Sequence, residues 1–226
     1  MKKYELIESN RVSPRGKPLS QVVALRDFSF VKKGDKGGYI ESEANLSHEG
    51  NCWVYDGAQV YDDAWVGGNA QVYDDAWVGG NAQVYDDAWV GGIAWVGDNA
   101  RVYDNARVCD HAWVHGTARV YGTAHVGGNA QVLGNAWVGG VALVHGDARV
   151  LGNARVGGVA LVHGDARVLG NARVLGNAWV HDNAQVGGNG DGTVALYADA
   201  TFEPVELKPC HGGQTGKFCS ECGEKL

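Results

Sequence analysis

Residues 139–156 read GGVALVHGDARVLGNARV, and residues 157–174 repeat that string without a change. Inside the string a shorter beat runs. Working outward from it, valine stands at every sixth position from Val54 to Val186, 23 times in all. An alanine stands two places ahead of each of these valines from Val60 onward, from Ala58 to Ala184. A strict short period of this kind marks a repeat architecture and outranks local propensity.

One hexad explains the beat. In Ala106-Arg107-Val108, alternation along a strand sends Ala and Val to one side and Arg to the other. The inward pair is invariant and the outward slot varies. The three residues before the next alanine, such as Tyr-Asp-Asn or Leu-Gly-Asn, are turn residues that tolerate positive φ or bond their own backbone. Each hexad is therefore expected to be a three-residue strand plus a corner. A helix needs apolar spacing near 3.6, and so many Gly-rich turns would destroy it. The repeat at 139–174 makes three sides of eighteen residues, a triangular coil. YDDAWVGGNAQV, at 61–72 and again at 73–84, offers a competing two-sided coil of twelve. Eighteen is favoured, because a two-sided core of Val and Ala alone has little width. Coils spaced at about 4.8 Å would make a prism on the order of 36 Å long.

A valine followed four places on by a small residue, recurring over about residues 38–190, resembles the hexapeptide-repeat superfamily of left-handed parallel β-helices. The resemblance implies the left-handed sense; the general crossover rule would have favoured the right. It also implies trimers as a common assembly, and acyltransferases and γ-type carbonic anhydrases among the activities. The run GDKGGYIESEANLSHEGNCWVYD resembles the leading segment of YdcK-like bacterial and prophage hexapeptide proteins, some described as acyltransferases. Only the architecture is carried over from them. The expected fold is all-β: a triangular solenoid at 38–192, an N-terminal β cap at 1–37, an exit strand and linker at 193–208, and a zinc-ribbon-like module at 209–226.

In the first segment, YELI and QVVAL read as short strands around the turn-rich SNRVSPRGKP. Ile40, Ala44 and Leu46 keep the beat, but Leu46 to Val54 is eight residues, so SHEGN is expected to carry a two-residue bulge. A cap is expected because an open coil exposes a sheet edge. The formal charge is -7, which argues against general nucleic-acid binding. No secretory leader follows MKKYELIESN, and no apolar run reaches membrane-spanning length. The five cysteines fit a reducing cytoplasm better than a disulfide framework.

The outward slots carry the functional expectations. All eight tryptophans immediately precede a valine, and six tyrosines immediately follow one. At eighteen residues per coil, Trp77, Trp95 and Trp113 stack in one column, and Tyr85, Tyr103 and Tyr121 in another. Stacked aromatics stabilise neighbouring strands, but a large outward indole set also marks a partner surface. These six residues are therefore the expected docking set, for a protein partner or for a second copy of the chain. His145, His163 and His181 form a third column, more simply a by-product of duplication than a metal site.

Residues 55–110 hold ten aspartates and two arginines, and residues 111–186 hold three aspartates, five arginines and six histidines. Asp62, Asp74, Asp86, Asp98 and Asp104 could imitate a nucleic-acid backbone, making the chain an acidic inhibitor of a nucleic-acid enzyme, as a prophage might encode. A third reading is a hexapeptide-class acyltransferase using His111, His115 or His125. Between Val54 and Val186, however, no insertion breaks the beat to build a lid or acyl-donor groove, so no catalytic residue is assigned. In the tail, PCHGGQTGKFCSECGEKL, the C-x-x-C of Cys219 and Cys222 resembles a zinc-ribbon knuckle. With Cys210 and His211 it would hold a structural Zn²⁺, His211 being strained by its adjacency to Cys210.

Overall fold

The computed structural model describes residues 2–188 and 195–198, with side chains through Gly187. They form a parallel β-solenoid of about eight turns, built from three sheets, with a single short helical turn at Glu43–Asn45. From Trp53 to Gln185 each rung pairs with the rung eighteen residues on: Trp77 lies beside Trp95, and Trp95 beside Trp113. The twelve-residue alternative is thereby excluded. One sheet, the first face, carries outward Gln59, Trp77, Trp95, Trp113, Gln131 and Arg149 in order. The second face carries Trp53, Gln71, Trp89, Arg107, His125 and Leu143. The third carries Trp65, Gln83, Arg101, Arg119, Trp137 and Arg155. Along the chain the order is first, third, second, then first again.

The core is the valine–alanine interior. Every valine of the beat is buried, and so is every alanine except Ala184 at the end of the tube. Each valine withdrawn from water contributes about 1.5–3 kcal/mol before chain entropy is subtracted. The strands are shorter than expected, mostly two residues such as Trp65–Val66. Alanine still points inward, but its amide often closes the corner instead of joining the ladder, as Ala58 N–H donates to the Tyr55 carbonyl at 3.0 Å.

The corners turn in the left-handed φ region. Glycine fills that position in many coils, and in the others the residue is aspartate, with φ between 48° and 59° at Asp56, Asp62, Asp74, Asp86, Asp98, Asp104, Asp110 and Asp182. Asp is among the few non-glycine residues for which this conformation is inexpensive.

Three antiparallel strands extend the first face at its leading edge: β1 (Tyr4–Val12), β2 (Pro18–Ala24) and β3 (Lys36–Ile40), the last running parallel to the Gln59–Val60 rung. SNRV, expected to turn, belongs to β1. Gly37 and Gly38 allow the close approach, since a Cβ on Gly37 would lie 2.3 Å from the Val54 carbonyl oxygen. The expected bulge is present: Ile40 pairs with Val60 and Leu46 with Val66, both twenty residues on, whereas Trp53 pairs with Gln71, eighteen on. Ala44 does not keep the beat. It is exposed in the helical turn, and Asn45 is turned in instead, its amide donating to the carbonyls of Asp62 and Ala64 at 2.9 and 2.8 Å. At the far end, Ala195–Ala198 runs parallel to the rung that begins at Arg173, within the exit segment expected from TVALY. Cys210, His211, Cys219 and Cys222, and with them the zinc expectation, lie outside the described residues.

Candidate functional site

The three tryptophans of the first face do form one ladder. Trp77 and Trp95 meet edge to face at 6.1 Å and 73°, and Trp95 and Trp113 at 5.3 Å and 69°. His115, at the adjoining corner, sets its ring against Trp95 at 4.5 Å. Burial lowers the His115 pKa, against a smaller opposing pull from Asp98, 3.6 Å away. The neutral imidazole therefore serves as a packing surface for the indole.

The tyrosines form a second ladder. Tyr85 and Tyr103 stack at 5.2 Å and 2°, and Tyr103 and Tyr121 at 5.5 Å and 11°. The two ladders do not make one surface. Tyr85, Tyr103 and Tyr121 follow rungs of the third face and stand on its corner with the second, the vertex opposite the first face. The six residues therefore lie in two separate stripes.

The indoles are also less exposed than eight outward tryptophans suggested. Trp53 is 1% exposed, covered by Tyr4 of β1 and by Phe28 between β2 and β3. Arg107 lies over Trp89 at 4.9 Å, and Arg119 and Arg155 take the two sides of Trp137 at 4.9 and 4.7 Å. Other rings fold flat against the wall where a neighbouring coil supplies glycine. Tyr61 lies over Gly79, and Tyr121 over Gly139, each so close that a Cβ there would enter the ring. Trp65, at 38%, and Trp113, at 45%, are the exposed indoles among the described residues. Trp113 ends the ladder of the first face, where Gln131 follows.

The aspartates named for charge mimicry have structural work. Each accepts a backbone N–H one coil on: Asp62 from Gly80 at 3.3 Å, Asp74 from Gly92 at 2.9 Å, Asp86 from Asp104 at 3.4 Å, Asp98 from Gly116 at 3.0 Å and Asp104 from Gly122 at 2.9 Å. These five aspartates form a row of corner clamps. Asp62 also takes Arg15 at 3.3 Å, in a groove lined by Lys17 and Glu41, which pair at 2.8 Å.

The histidines weighed for acyl transfer do not converge. His111 is exposed at the corner between the second and first faces, His115 packs on Trp95 at the next corner, and His125 stands on the second face. His125 instead meets Cys109, Nε2 to Sγ at 3.0 Å. The eighteen-residue spacing missed this pair, because it joins a corner residue to a rung residue sixteen positions on. His163 and His181 stack at 5.6 Å, and burial lowers the His163 pKa. Among the described residues no group of three or more His, Cys, Asp or Glu side chains is arranged to hold a metal ion.

A family model described as YdcK Beta solenoid repeat matches residues 100–116 and 166–182. A protein of Escherichia coli (strain K12) named Uncharacterized acetyltransferase YdcK is 40% identical over 63 residues, 25% of this chain and 19% of that protein. The match thus spans about a fifth of the relative's length. The residues matched by the family model lie in the β-solenoid.

Proposed function

We propose that this β-solenoid, similar in part to YdcK, is a non-catalytic docking scaffold whose first face binds a protein surface, in the first instance a second copy of the chain. The observation that carries this reading is Trp113. It is a large indole, 45% exposed, held at the end of a rigid ladder on a flat parallel sheet. A rigid aromatic loses little conformational entropy on being covered, and tryptophan dominates binding hot spots. The neighbouring Trp77 and Trp95 are half-buried and fix its orientation. A left-handed coil, as in the hexapeptide-repeat proteins, and assembly as a trimer belong to the same proposal.

Native mass spectrometry and sedimentation test it. Trp113→Ser should weaken self-association roughly 30-fold, the effect of losing a hot spot of about 2 kcal/mol. Tyr103→Ser, on the opposite vertex, should leave association unchanged. A monomeric wild type, or equal effects of the two substitutions, would remove the reading.

A second reading, acyl transfer, is favoured by one observation: the name of the E. coli relative. Thermal stabilisation by acetyl-CoA that His111→Ala or His125→Ala abolishes would favour it over the scaffold. The cysteines of the tail, Cys210, Cys219 and Cys222, with His211, are proposed to hold a structural Zn²⁺, which the same native mass spectrum would register as added mass.

A further inference from the structure

The third face divides by charge along its length. Taken with the three corner residues on either side, its first three rungs read YDDAWVGGN (61–69), GGNAQVYDD (79–87) and GDNARVYDN (97–105). They carry six aspartates against Arg101. The next four read HGTARVYGT (115–123), LGNAWVGGV (133–141), LGNARVGGV (151–159) and LGNARVLGN (169–177). They carry Arg119, Arg155 and Arg173 and no acidic residue. The aspartates that follow Asp104 among the described residues, Asp110, Asp147, Asp165 and Asp182, stand at the corner between the second and first faces, opposite the third. On the first face, by contrast, Arg149 and Arg167 share a groove with Asp147 and Asp165.

Both halves of the third face are open. Asp63, Asp86, Asp87 and Asp98 are exposed, while Asp62 is held by Arg15 at 3.3 Å and Lys17 at 3.6 Å. Arg155 and Arg173 are exposed and Arg119 is half-buried. Among the described residues none of these three arginines pairs with a carboxylate. Trp137 holds the guanidiniums of Arg119 and Arg155 over its ring, so a partner has little side-chain freedom left to remove. Trp65, 38% exposed, stands at the acidic end.

We propose that the third face is a self-association surface, on which a second copy of the chain docks antiparallel about a two-fold axis near the middle of the face. That symmetry lays each half on its opposite, so aspartates of one copy meet arginines of the other twice over. A parallel arrangement sets like on like, so charge fixes the direction. Trp65 falls among the arginines of the second copy, a pairing the chain already makes between Trp137 and Arg155 at 4.7 Å. The face runs about 29 Å from Trp65 to Arg173 and is about 17 Å across. Its footprint is roughly 500 Å² per copy, near the ~1,000 Å² total of a specific interface. The tyrosine ladder stands on the rim, where contacts contribute little. The net charge of -7 opposes association in general, so association that strengthens as salt falls identifies complementary faces.

This contact does not rest on the first-face reading, and testing it in the full-length Trp113→Ser chain keeps the two apart. Sedimentation at low salt should show a dimer that dissociates as salt rises to about 0.5 M. Arg155→Glu with Arg173→Glu should weaken it roughly 30-fold or more, and so should Asp63→Arg with Asp87→Arg, because like charges then face each other. Asp63 and Asp87 lie outside the left-handed corner positions, so replacing them spares the backbone. Circular dichroism checks that each variant retains its sheet. Mixing the two charge-reversed chains should restore a dimer, since each supplies the sign the other lacks. A Trp113→Ser chain that is monomeric at low salt, a dimer indifferent to both reversals, or a mixture no better than its parts would overturn the proposal. A monomer that binds a poly-glutamate peptide through Arg155 and Arg173 would overturn it too, giving these arginines to an acidic partner of another kind.

Discussion

Asp104 shows what a corner residue does. Its φ of 58° is in the left-handed region, and its carboxylate accepts the Gly122 N–H at 2.9 Å from the coil that follows. Glycine satisfies the first demand at no steric cost, and aspartate satisfies both. Asp104→Gly should therefore cost little, roughly 0.5–1 kcal/mol, from the lost hydrogen bond and the freer unfolded chain. Asp104→Ala loses the acceptor and adds left-handed strain, and should cost about 2–3 kcal/mol. Denaturant melts of the two variants give the order, and an alanine as mild as glycine would show that the corner does not demand this conformation. Seven of the ten aspartates between residues 55 and 110 thus have a backbone reason, the left-handed corner; Asp63, Asp75 and Asp87 do not hold that position. The corner role weighs against reading Asp62, Asp74, Asp86, Asp98 and Asp104 as a nucleic-acid imitation, since each has a backbone partner.

The rung and its corner are interchangeable inside and particular outside. Removing residues 79–96 takes out one whole coil and brings Trp113 beside Trp77. Removing only 79–84 takes out one inward alanine and valine, leaves the beat of the rest unbroken, and rotates all that follows by one face, bringing Arg101 beside Trp77. Both chains should fold, because stability in a solenoid is a sum over neighbouring repeats. The six-residue deletion keeps the Trp95–Trp113 pair but leaves Trp77 without an indole neighbour. Trp77→Phe should therefore alter the near-ultraviolet circular dichroism of coupled indoles in the eighteen-residue deletion and much less in the six-residue one, and equal effects in both would sink the three-sided register. What the sequence disclosed follows the same division. The coil length, the columns Trp77–Trp95–Trp113 and Tyr85–Tyr103–Tyr121, and the bulge before Val54 were legible because they depend on counting by six. The exposure of each indole was not, because it depends on what the adjoining coil supplies: arginines beside Trp137, a glycine under Tyr121, and N-terminal strands over Trp53. Nor could the period show that the two ladders stand on opposite sides, which requires following the corners around the triangle. The Cys109–His125 pair escaped for a related reason, since it crosses from corner to face between coils.

A solenoid has two ends, and each is a set of unpaired backbone groups and a cross-section of bare valine core. At the leading end the first strands lie against the opening coil. β3 pairs with the Gln59–Val60 rung, and the turn from β1 to β3 lays Tyr4 and Phe28 against Trp53 at 6.2 and 5.3 Å. Lys3 is fully buried beneath them, its ammonium donating to the Cys52 carbonyl at 2.9 Å, and burial lowers its pKa. The hydroxyl of Tyr4 donates to the Leu46 carbonyl at 2.7 Å. A chain lacking residues 2–35 would leave Trp53 bare, uncover the outer edge of β3 and strand the Cys52 carbonyl. It should keep its β-sheet circular dichroism but associate end to end, as light scattering that rises with protein concentration would register. Trp113→Ser in that background should not reverse this association, because the ends and the first face are different surfaces. A truncated chain that stays dispersed would mean that the solenoid tolerates an open end, and that the N-terminal strands serve some purpose other than closing it.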